Sequence, residues 1–474
     1  MPEPNGVRQP DRVGTWRELF GPEHRAPVAV LAGGIGLFAT NTYVTASLLP
    51  SAVADIGGDE LYAWTMTIFV VAAVISSMLV ARSLAGLGSR TSYLLGFGVF
   101  AAGTLVAALA PTMPVMLIGR GVQGLAAGLL AGLAFAVLRL VVPAFLWQRA
   151  VALLSAMWGV GNVLGPVIGG FFAQLGLWRG SLFLLAAISL ALGGLAAKVL
   201  PAHTRPPRSD DPLPWRPLAL LTVAVLLISV ASIASRPPVV ATLIAAAVVA
   251  AGAFVLAERA GPARVLPAPT YRGASPLRWI YAAILLLTMA STIETFVPLF
   301  GQRLGGMSPL AAGFLGAAIS WGWTVGSIAS SSVVSARAKR GICIAGPLLI
   351  AAGFLAYGAL QVQAPNAAVL AGWFAALFVA GCGIGVAMAH WLTAGLSISD
   401  EPAEAAQASA GMNTTQLIAT AFGSALAGLL VALGGPGLLG SARTLSFGYV
   451  LVGVVGVAVA LREFAVARRY RTGA

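Results

Sequence analysis

The chain has 474 residues, of which 58% are hydrophobic and only 9% are charged. A soluble domain usually carries about 25% charged residues, because water must wet its surface. This composition excludes a soluble enzyme, a coiled coil, a disordered scaffold and a disulfide-framed secreted module. It predicts a protein that lives in the lipid bilayer.

A helix needs about 20 predominantly apolar residues to cross a membrane. Runs of that kind, bounded by charges, prolines or glycine clusters, predict fourteen spans and thus an all-α polytopic membrane protein. They cover residues 28–50, 61–81, 93–110, 114–138, 151–173, 180–200, 217–235, 238–257, 279–300, 308–334, 342–361, 368–395, 408–433 and 444–464. An even number of spans places both termini on one side of the membrane.

The basic residues indicate which side that is. Of the 28 lysines and arginines, 23 fall in segments on the side of the N-terminus. Basic residues collect on the cytoplasmic side of membrane proteins. We therefore expect a multi-pass protein of the plasma membrane with both termini in the cytoplasm. The net charge of +13 is attributed to this topology and not to nucleic-acid binding.

Two proline-rich, charged segments are the longest connections between spans. They separate six spans, then two, then six, which predicts two six-helix bundles and an inserted two-helix hairpin. The expected divisions are a cytoplasmic N-terminal tail (1–27), a first bundle (28–200), a linker (201–216), the hairpin (217–257), a second linker (258–278), a second bundle (279–465) and a cytoplasmic C-terminal tail (466–474).

The fifth span carries a dense set of small residues. Its sequence GNVLGPVIGG holds Gly161, Gly165, Pro166, Gly169 and Gly170. Glycines at this spacing share one helix face and let a neighbouring backbone approach closely, while the proline favours a kink. Ordinary helix packing is the simpler interpretation of such a pattern.

This stretch resembles the antiporter signature of the major facilitator superfamily. The fourth span, LIGRGVQGLAAG with Arg120 and Gln123, is similar to that superfamily's fourth-helix motif. The six-two-six layout and the stretch GMNTTQLIATAFGSAL are similar to its fourteen-span drug:proton antiporters. The resemblance covers nearly the whole chain. It implies a major facilitator fold whose bundles rock about a central site, with the glycine stretch as a conformational motif.

Two positions depart from the pattern of these antiporters. Many members carry an acid in the first span, nine residues before a proline, where this chain has Asn41. An amide does not bind and release a proton near neutral pH. The loop after the second span, RSLAGLGSR, keeps Arg82 and Arg90 as inner-gate candidates but has Gly86 near the place of an aspartate. Both departures concern proton coupling and not the fold.

Ionisable residues inside a bilayer are costly and therefore indicate function. Arg120, Glu294 and His390 lie deep within predicted spans, and Glu294 is expected to be the only acid at such a depth. These three are the proton-coupling candidates. Other interpretations stay open: Arg120 as a structural tie to helix ends, Glu294 in loop water if its span ends early, and His390 as an ordinary hydrogen-bonded residue.

Depth arithmetic suggests how two of these charges relate. At 1.5 Å per residue, Arg120 and Glu294 each lie about 9 Å below the outer membrane edge, and Asn41 lies about 14 Å below it. We expect Arg120 and Glu294 to face a central cavity from opposite bundles. Glu294 is then the residue that binds the proton that Asn41 cannot.

A large and mostly apolar cavity is expected between the bundles. Aromatic faces accept hydrophobic and cationic molecules. With one acid inside the membrane, neutral or singly charged amphipathic molecules are the expected cargo. The candidate lining residues are Asn41, Tyr43, Gln123, Phe135, Phe296 and Trp391.

These features predict a secondary active transporter that exports hydrophobic or amphipathic small molecules, such as drugs, antibiotics or secondary metabolites, in exchange for protons. The alternatives are a lipid exporter or a proton-independent facilitator of the same fold and, in a different class, a non-transporting membrane sensor or scaffold. The expected partners are the cargo, protons and the bilayer, with the chain acting as a monomer.

No enzymatic activity is expected, because no clustered His, Cys, Asp or Glu forms a nucleophile or metal site. Cys343 and Cys382 lie in apolar runs, which indicates neither a disulfide nor a thiolate metal site. The sequence contains no phosphate-cradling glycine loop. No cofactor, no metal and no direct use of ATP are therefore expected.

Overall fold

A computed structural model of the chain shows an assembly of long helices. The structure describes residues 14–202, 213–261, 264–271, 275–333, 335–396 and 402–472. The regular elements in these ranges are α-helices and short 3-10 turns. The all-helical architecture that the apolar runs predict is confirmed.

The first half, residues 14–202, has one short helix followed by six long ones. They are α1 (Trp16–Leu19), α2 (Arg25–Ile56), α3 (Trp64–Ser77), α4 (Val80–Ala108), α5 (Met113–Val141), α6 (Trp147–Gln174) and α7 (Trp178–Val199). In this half α2 packs against α6, while α5 packs against both α3 and α4. A pair of helices follows, α8 (Trp215–Ala231) and α9 (Pro237–Ala260).

The second half, residues 275–472, has seven helices within its described part. They are α10 (Leu277–Ser291), α11 (Val297–Arg303), α12 (Pro309–Ser330), α13 (Ala336–Ala359), α14 (Ala367–Leu396), α15 (Pro402–Leu433) and α16 (Leu438–Thr472). A 3-10 turn, Thr292–Thr295, separates α10 from α11 within one predicted span. Here α14 packs against α12 and α13, and α10 packs against α15 and α16.

Helical segments lie at all fourteen predicted positions. Twelve of the described helical segments are long and apolar enough to cross a membrane by themselves. The other two are α8, which has 17 residues, and α12, which is less apolar. Several helix starts are encoded locally, since α5, α9 and α12 each have a proline in the first turn, where no backbone donor is needed.

The two halves close against each other at one end. We call the end at which α2 begins the tail end, and the end at which it finishes the distal end. Near the distal end α6 contacts α12, and a Cβ built on Gly170 lies only 2.7 Å from the Cα of Leu310. At the same end α3 contacts α15, where Ala63 lies against Gly428. These contacts close the distal end in this conformation.

The α8–α9 pair lies at the seam between the halves. α8 contacts both α3 and α15, and the indole Nε1 of Trp64 donates a 3.1 Å hydrogen bond to the carbonyl of Ser229. On α9 only Ala247, Ala250 and Glu258 are buried. The exposed residues of this apolar helix are therefore available to lipid.

The predicted inner-gate loop belongs to a broken helix, which corrects the span prediction at this place. α4 begins at Val80 and not near residue 93, and Gly88 interrupts it with a φ of +79°. Glycine adopts this left-handed backbone without steric cost. Arg82 precedes the break and is exposed, whereas Arg90 follows it and is half-buried.

Candidate functional site

Glu294 lies at the place where α10 gives way to α11. The 3-10 turn carries it, and its side chain is half-buried. Ser320 of α12 donates a hydrogen bond from Oγ to Glu294 Oε2 over 3.2 Å. The same Oγ lies 2.9 Å from the hydroxyl oxygen of Tyr43 in α2. One serine therefore connects a carboxylate of the second half to a side chain of the first half.

The sequence explains why the span is interrupted here. Pro298 has no N–H to donate to the carbonyl of Glu294, four residues earlier, which favours an interruption of the helix at this point. α11 accordingly begins anew at Val297. Opposite the turn, α12 presents Gly316, whose built Cβ lies 3.1 Å from Pro298 Cγ and 3.7 Å from the Glu294 carbonyl oxygen. The small residue brings α12 close to the turn.

Arg120 is enclosed within the first half, where it is 1% exposed. Its Nε donates to the carbonyl of Thr65 at 3.1 Å and its Nη1 donates to Gln123 Oε1 at 2.8 Å. The guanidinium also lies over the ring of Phe69, with Cζ 4.2 Å from the ring centroid. These contacts tie α5 to α3.

Gln123 extends this cluster to two more helices. Its Nε2 donates to Thr104 Oγ1 at 2.8 Å and to Asn41 Oδ1 at 3.4 Å. Neither Gln123 nor Asn41 is exposed at all. Asn41, at the position where the family resemblance implies an acid, therefore belongs to a buried polar cluster that joins α2, α4 and α5.

The expectation that Arg120 faces a central cavity from the bundle opposite Glu294 is wrong for this conformation. No ion pair joins these two described residues, because Arg120 points into the contact between α5 and α3 while Glu294 points toward α12. Of the interpretations left open for Arg120, the geometry fits the structural tie.

The predicted cavity residues divide into two groups. Tyr43 is half-buried and Phe135 is 45% exposed, so both are accessible. The others do not line an open cavity, because each is at most 2% exposed; they are Asn41, Gln123, Phe296 and Trp391. Phe296 packs on Tyr62 and Phe300, and Trp391 stacks on Phe464. Large aromatic residues at these places fill helix contacts.

His390 of α14 is half-buried, and its Nε2 has no hydrogen-bond partner. It belongs to α14, whereas the chain of hydrogen bonds at Glu294 is built on α2, α12 and the turn after α10. The structure does not bring this third proton-coupling candidate into that chain.

Glu294 is not the only acid within a long apolar helix, which corrects a further expectation. Glu258 near the end of α9 is completely buried, and Glu463 of α16 is 6% exposed. Glu258 accepts hydrogen bonds from the backbone N–H groups of Val265 and Leu266 and from the hydroxyl of Tyr271. It therefore organises the linker that follows α9.

The glycine stretch of α6 packs against α2 and α12. A Cβ built on Gly161 lies 2.6 Å from Ala39 Cβ, and one on Gly165 lies 2.2 Å from Tyr43 Cβ. Gly169 lies in the same way against Val44. Gly170 faces α12, and Pro166 lies 3.2 Å from the built Cβ of Gly313 in that helix. The stretch thus sets how closely α6 approaches α2 in its own half and α12 in the other half.

Sequence reasoning missed the contacts that close the distal end. Nη1 of Arg303 lies 2.5 Å from Oδ1 of Asp59, which joins the second half to the first. Gln302 Nε2 donates to the carbonyl of Ser47 at 3.5 Å across the same boundary. The sequence signal was only an acid in one loop and a base at the end of another span, 244 residues apart.

Comparisons with known proteins extend these findings. The family model described as Major Facilitator Superfamily matches residues 31–424. A probable multidrug-efflux transporter of Mycobacterium tuberculosis is 43% identical over 453 residues, which cover 94% of this chain and 95% of that protein. The tetracenomycin C resistance and export protein of Streptomyces glaucescens is 26% identical, and the match covers 91% of this chain and 79% of that protein.

Solved structures share the fold. A POT family transporter in complex with 5-aminolevulinic acid matches with a TM-score of 0.66 at 16% identity, over 97% of this chain and 98% of that one. A bacterial homologue of the human lysosomal transporter Spinster, inward-facing and unoccupied, matches with a TM-score of 0.65 at 15% identity, over 97% and 99%. Family model and close relative agree over most of the sequence: this chain belongs to the major facilitator superfamily of membrane transporters.

Proposed function

We propose that this chain is a secondary active transporter that exports hydrophobic or amphipathic small molecules across the plasma membrane in exchange for protons. The export of such molecules is supported by the relatives described as a multidrug-efflux transporter and as a tetracenomycin C resistance and export protein. The observation that carries the proton coupling is the half-buried carboxylate of Glu294, hydrogen-bonded where the two halves meet. Transporters of this architecture bind their coupling ions at such a boundary.

The proposal places the tail end in the cytoplasm, because 23 of the 28 basic residues fall on that side. The proposal takes the conformation closed at the distal end as the one that opens toward the cytoplasm. Glu294 exchanges its proton with the cytoplasm in this state and with the exterior after the bundles rock. This geometry lets one carboxylate serve both sides.

The proposal also retains fourteen spans. α8 has 17 residues and therefore extends over about 26 Å at 1.5 Å per residue, close to the roughly 30 Å of the hydrocarbon core. α12 packs between α6 and α14 and needs less apolar surface than a helix that faces lipid. With these two included, α8 and α9 form a hairpin inserted between two six-span bundles.

Reconstitution in liposomes tests the transport and its coupling. The purified chain is placed in vesicles with an acidic lumen, and the uptake of ethidium and of tetracenomycin C into the lumen is followed, together with alkalinisation of the lumen reported by a trapped pH dye. We expect cargo uptake that requires the gradient and that releases protons. Glu294→Gln keeps the size of the side chain but cannot ionise, so its uptake should no longer respond to the gradient.

The matched control is Glu60→Gln, which makes the same chemical change at an exposed residue of the distal end. This variant should transport like the unaltered chain. Gradient-dependent uptake that persists in Glu294→Gln contradicts the assignment of Glu294. Uptake by the unaltered chain that ignores the gradient contradicts proton exchange and indicates a facilitator.

A further inference from the structure

The hydrogen-bond chain at Glu294 has a fixed direction when the carboxylate is ionised. A carboxylate only accepts hydrogen bonds, so Ser320 must donate its single hydroxyl proton to Glu294. The Tyr43 hydroxyl, 2.9 Å away, must then be the donor to Ser320. The order of donors runs from the first half to the second, from Tyr43 through Ser320 to Glu294.

The ionisation of Glu294 sets the strength of this chain. A hydrogen bond to a charged group contributes about 1.5–3 kcal/mol, against roughly 1 kcal/mol for a neutral pair. A protonated Glu294 loses the charge and gains a donor of its own. The obligatory order from Tyr43 to Glu294 then disappears, and with it the charge-assisted link between the halves.

No other described charge neutralises Glu294 where it sits. On α2 the titratable side chain that faces it is Tyr43, and α12 has no charged residue along its length. From α16, Tyr449 bonds to Thr292 in the same turn and to the carbonyl of Gly423 in α15. The basic residue that follows the turn, Arg303, pairs with an acid of the first half.

Opening the distal end must break this chain. Tyr43 lies on α2 and Ser320 on α12. These two helices also meet closer to the distal end, one turn along α2 and two turns along α12, where the built Cβ of Gly313 lies 2.8 Å from Ser47 Oγ. Separation of the two helices at that point draws Tyr43 away from Ser320. The distal-closed conformation and the intact chain therefore occur together.

We infer that Tyr43 and Ser320 are positioning residues of a charge-dependent lock, in which ionised Glu294 holds the two halves in the distal-closed conformation and protonation or cargo binding at Glu294 releases them. This inference rests on the proposed function. In the distal-closed conformation, the lock keeps an empty, deprotonated carrier from opening its distal end. Such a carrier stays distal-closed until cargo or a proton binds.

Spin labels at the tail end measure the lock directly. Gly86 and Gly341 are exposed, lie in opposite halves and have open space at the Cβ, so cysteines fit there once Cys343 and Cys382 are replaced by alanine. The distance between the two spin labels is measured in the cargo-free chain in lipid nanodiscs. The long distance should predominate at pH 9, and the population with a shorter distance should increase at pH 5.

Tyr43→Phe keeps the ring and removes only the hydroxyl. At pH 9 it should lower the ratio of tail-open to tail-closed molecules about tenfold, the effect of losing a hydrogen bond in a charge-assisted chain. At pH 5 it should change nothing, which separates a lock from a general loosening of the structure. Ser320→Ala should behave alike. Tyr93→Phe is the matched control, because the Tyr93 hydroxyl is buried in the first half without a partner.

Two results are decisive and distinguishable. The lock is overturned if Tyr43→Phe and Ser320→Ala both show the distance distributions of the unaltered chain at pH 9 and at pH 5. The proposed function still stands in that case, provided that Glu294→Gln abolishes gradient-driven uptake. Gradient-driven uptake that survives in Glu294→Gln overturns the proposed function and the lock together.

Discussion

Arg303 and Asp59 form an ion pair that crosses the boundary between the two halves at the distal end, with Nη1 2.5 Å from Oδ1. Both side chains are partly exposed, at 37% and 61%. Each bundle supplies one charge, so the pair exists only while that end is closed. It belongs to the conformation and not to either bundle alone.

Asp59→Asn should shift the molecule toward the distal-open conformation. Exposed ion pairs contribute about 0.2–1 kcal/mol, so the population ratio should change by less than about fivefold. Spin labels at the distal end report the shift, and exchange of the two charges in an Asp59→Arg, Arg303→Asp double variant should reverse it. Asp55→Asn is the control, because Asp55 pairs with Arg179 inside the first half and should leave the ratio unchanged.

Gly165→Ala should impair transport and lower stability. The added methyl group meets Tyr43 Cβ at 2.2 Å, so α6 must move away from α2, and overpacking of this kind costs about 1–3 kcal/mol. Thermal unfolding in detergent and the uptake rate measure the two effects. Gly159→Ala, two turns away on the same helix, adds its methyl group to open space and should leave both nearly unchanged; equal losses in the two variants contradict the packing role.

Arg120 and Glu294 should act independently. They share no hydrogen bond, so a double-mutant cycle of Arg120→Gln with Glu294→Gln should give an interaction free energy within about 0.5 kcal/mol of zero. A cycle of Arg120→Gln with Gln123→Ala should give about 1 kcal/mol or more, because Nη1 of Arg120 donates to Gln123 Oε1. Unfolding by denaturant provides the values. Strong coupling in the first cycle restores the pairing that the depth arithmetic suggests.

Glu258→Gln should expose the linker after α9 to protease. Its carboxylate accepts from two backbone N–H groups and from Tyr271, and each bond to a charged acceptor contributes about 1.5–3 kcal/mol. Trypsin cleavage after Arg264 should therefore accelerate about tenfold or more. The exposed Glu60→Gln should cleave at the original rate.

The pH dependence of that cleavage gives a second check. Burial, followed by the negative charge of Glu258, raises the pKa of Tyr271 above its usual range. The phenol is therefore still a donor at pH 9, and the folded linker should resist trypsin equally at pH 7 and pH 9. A rate that climbs steeply between these values shows that the Tyr271 phenol ionises in this range, which contradicts the raised pKa.

In this protein, the sequence predicts the position of a residue along its helix better than the direction in which its side chain projects. Apolar run lengths locate the helices, and Glu294 lies within a helical segment, Leu277–Arg303, that is long and apolar enough to cross a membrane. The same count places Arg120 at a similar depth but says nothing about the side of α5 from which it projects. That direction is set by Phe69 and by the carbonyl of Thr65, which come close only after folding.

Partners far apart in the chain were also beyond sequence reasoning. Ser320 is 26 residues from Glu294 and 277 residues from Tyr43, and no periodicity links them. The charge of Glu258 ends the apolar run and so predicts a linker position, whereas the backbone N–H groups that bind its carboxylate carry no sequence signature. In contrast, the close packing of Gly161 and Gly165 follows directly from their spacing, since glycines four apart lie on one helix face.

The position of the α8–α9 pair makes access to the centre of this molecule one-sided. Two seams divide the halves, one between α3 and α15 and one between α6 and α12, and α8 lies against the first. A compound that is dissolved in the membrane and approaches from the side meets α8 at the first seam, whereas no described helix outside the two halves covers the second. The two extra helices thus make the two seams between the halves unequal.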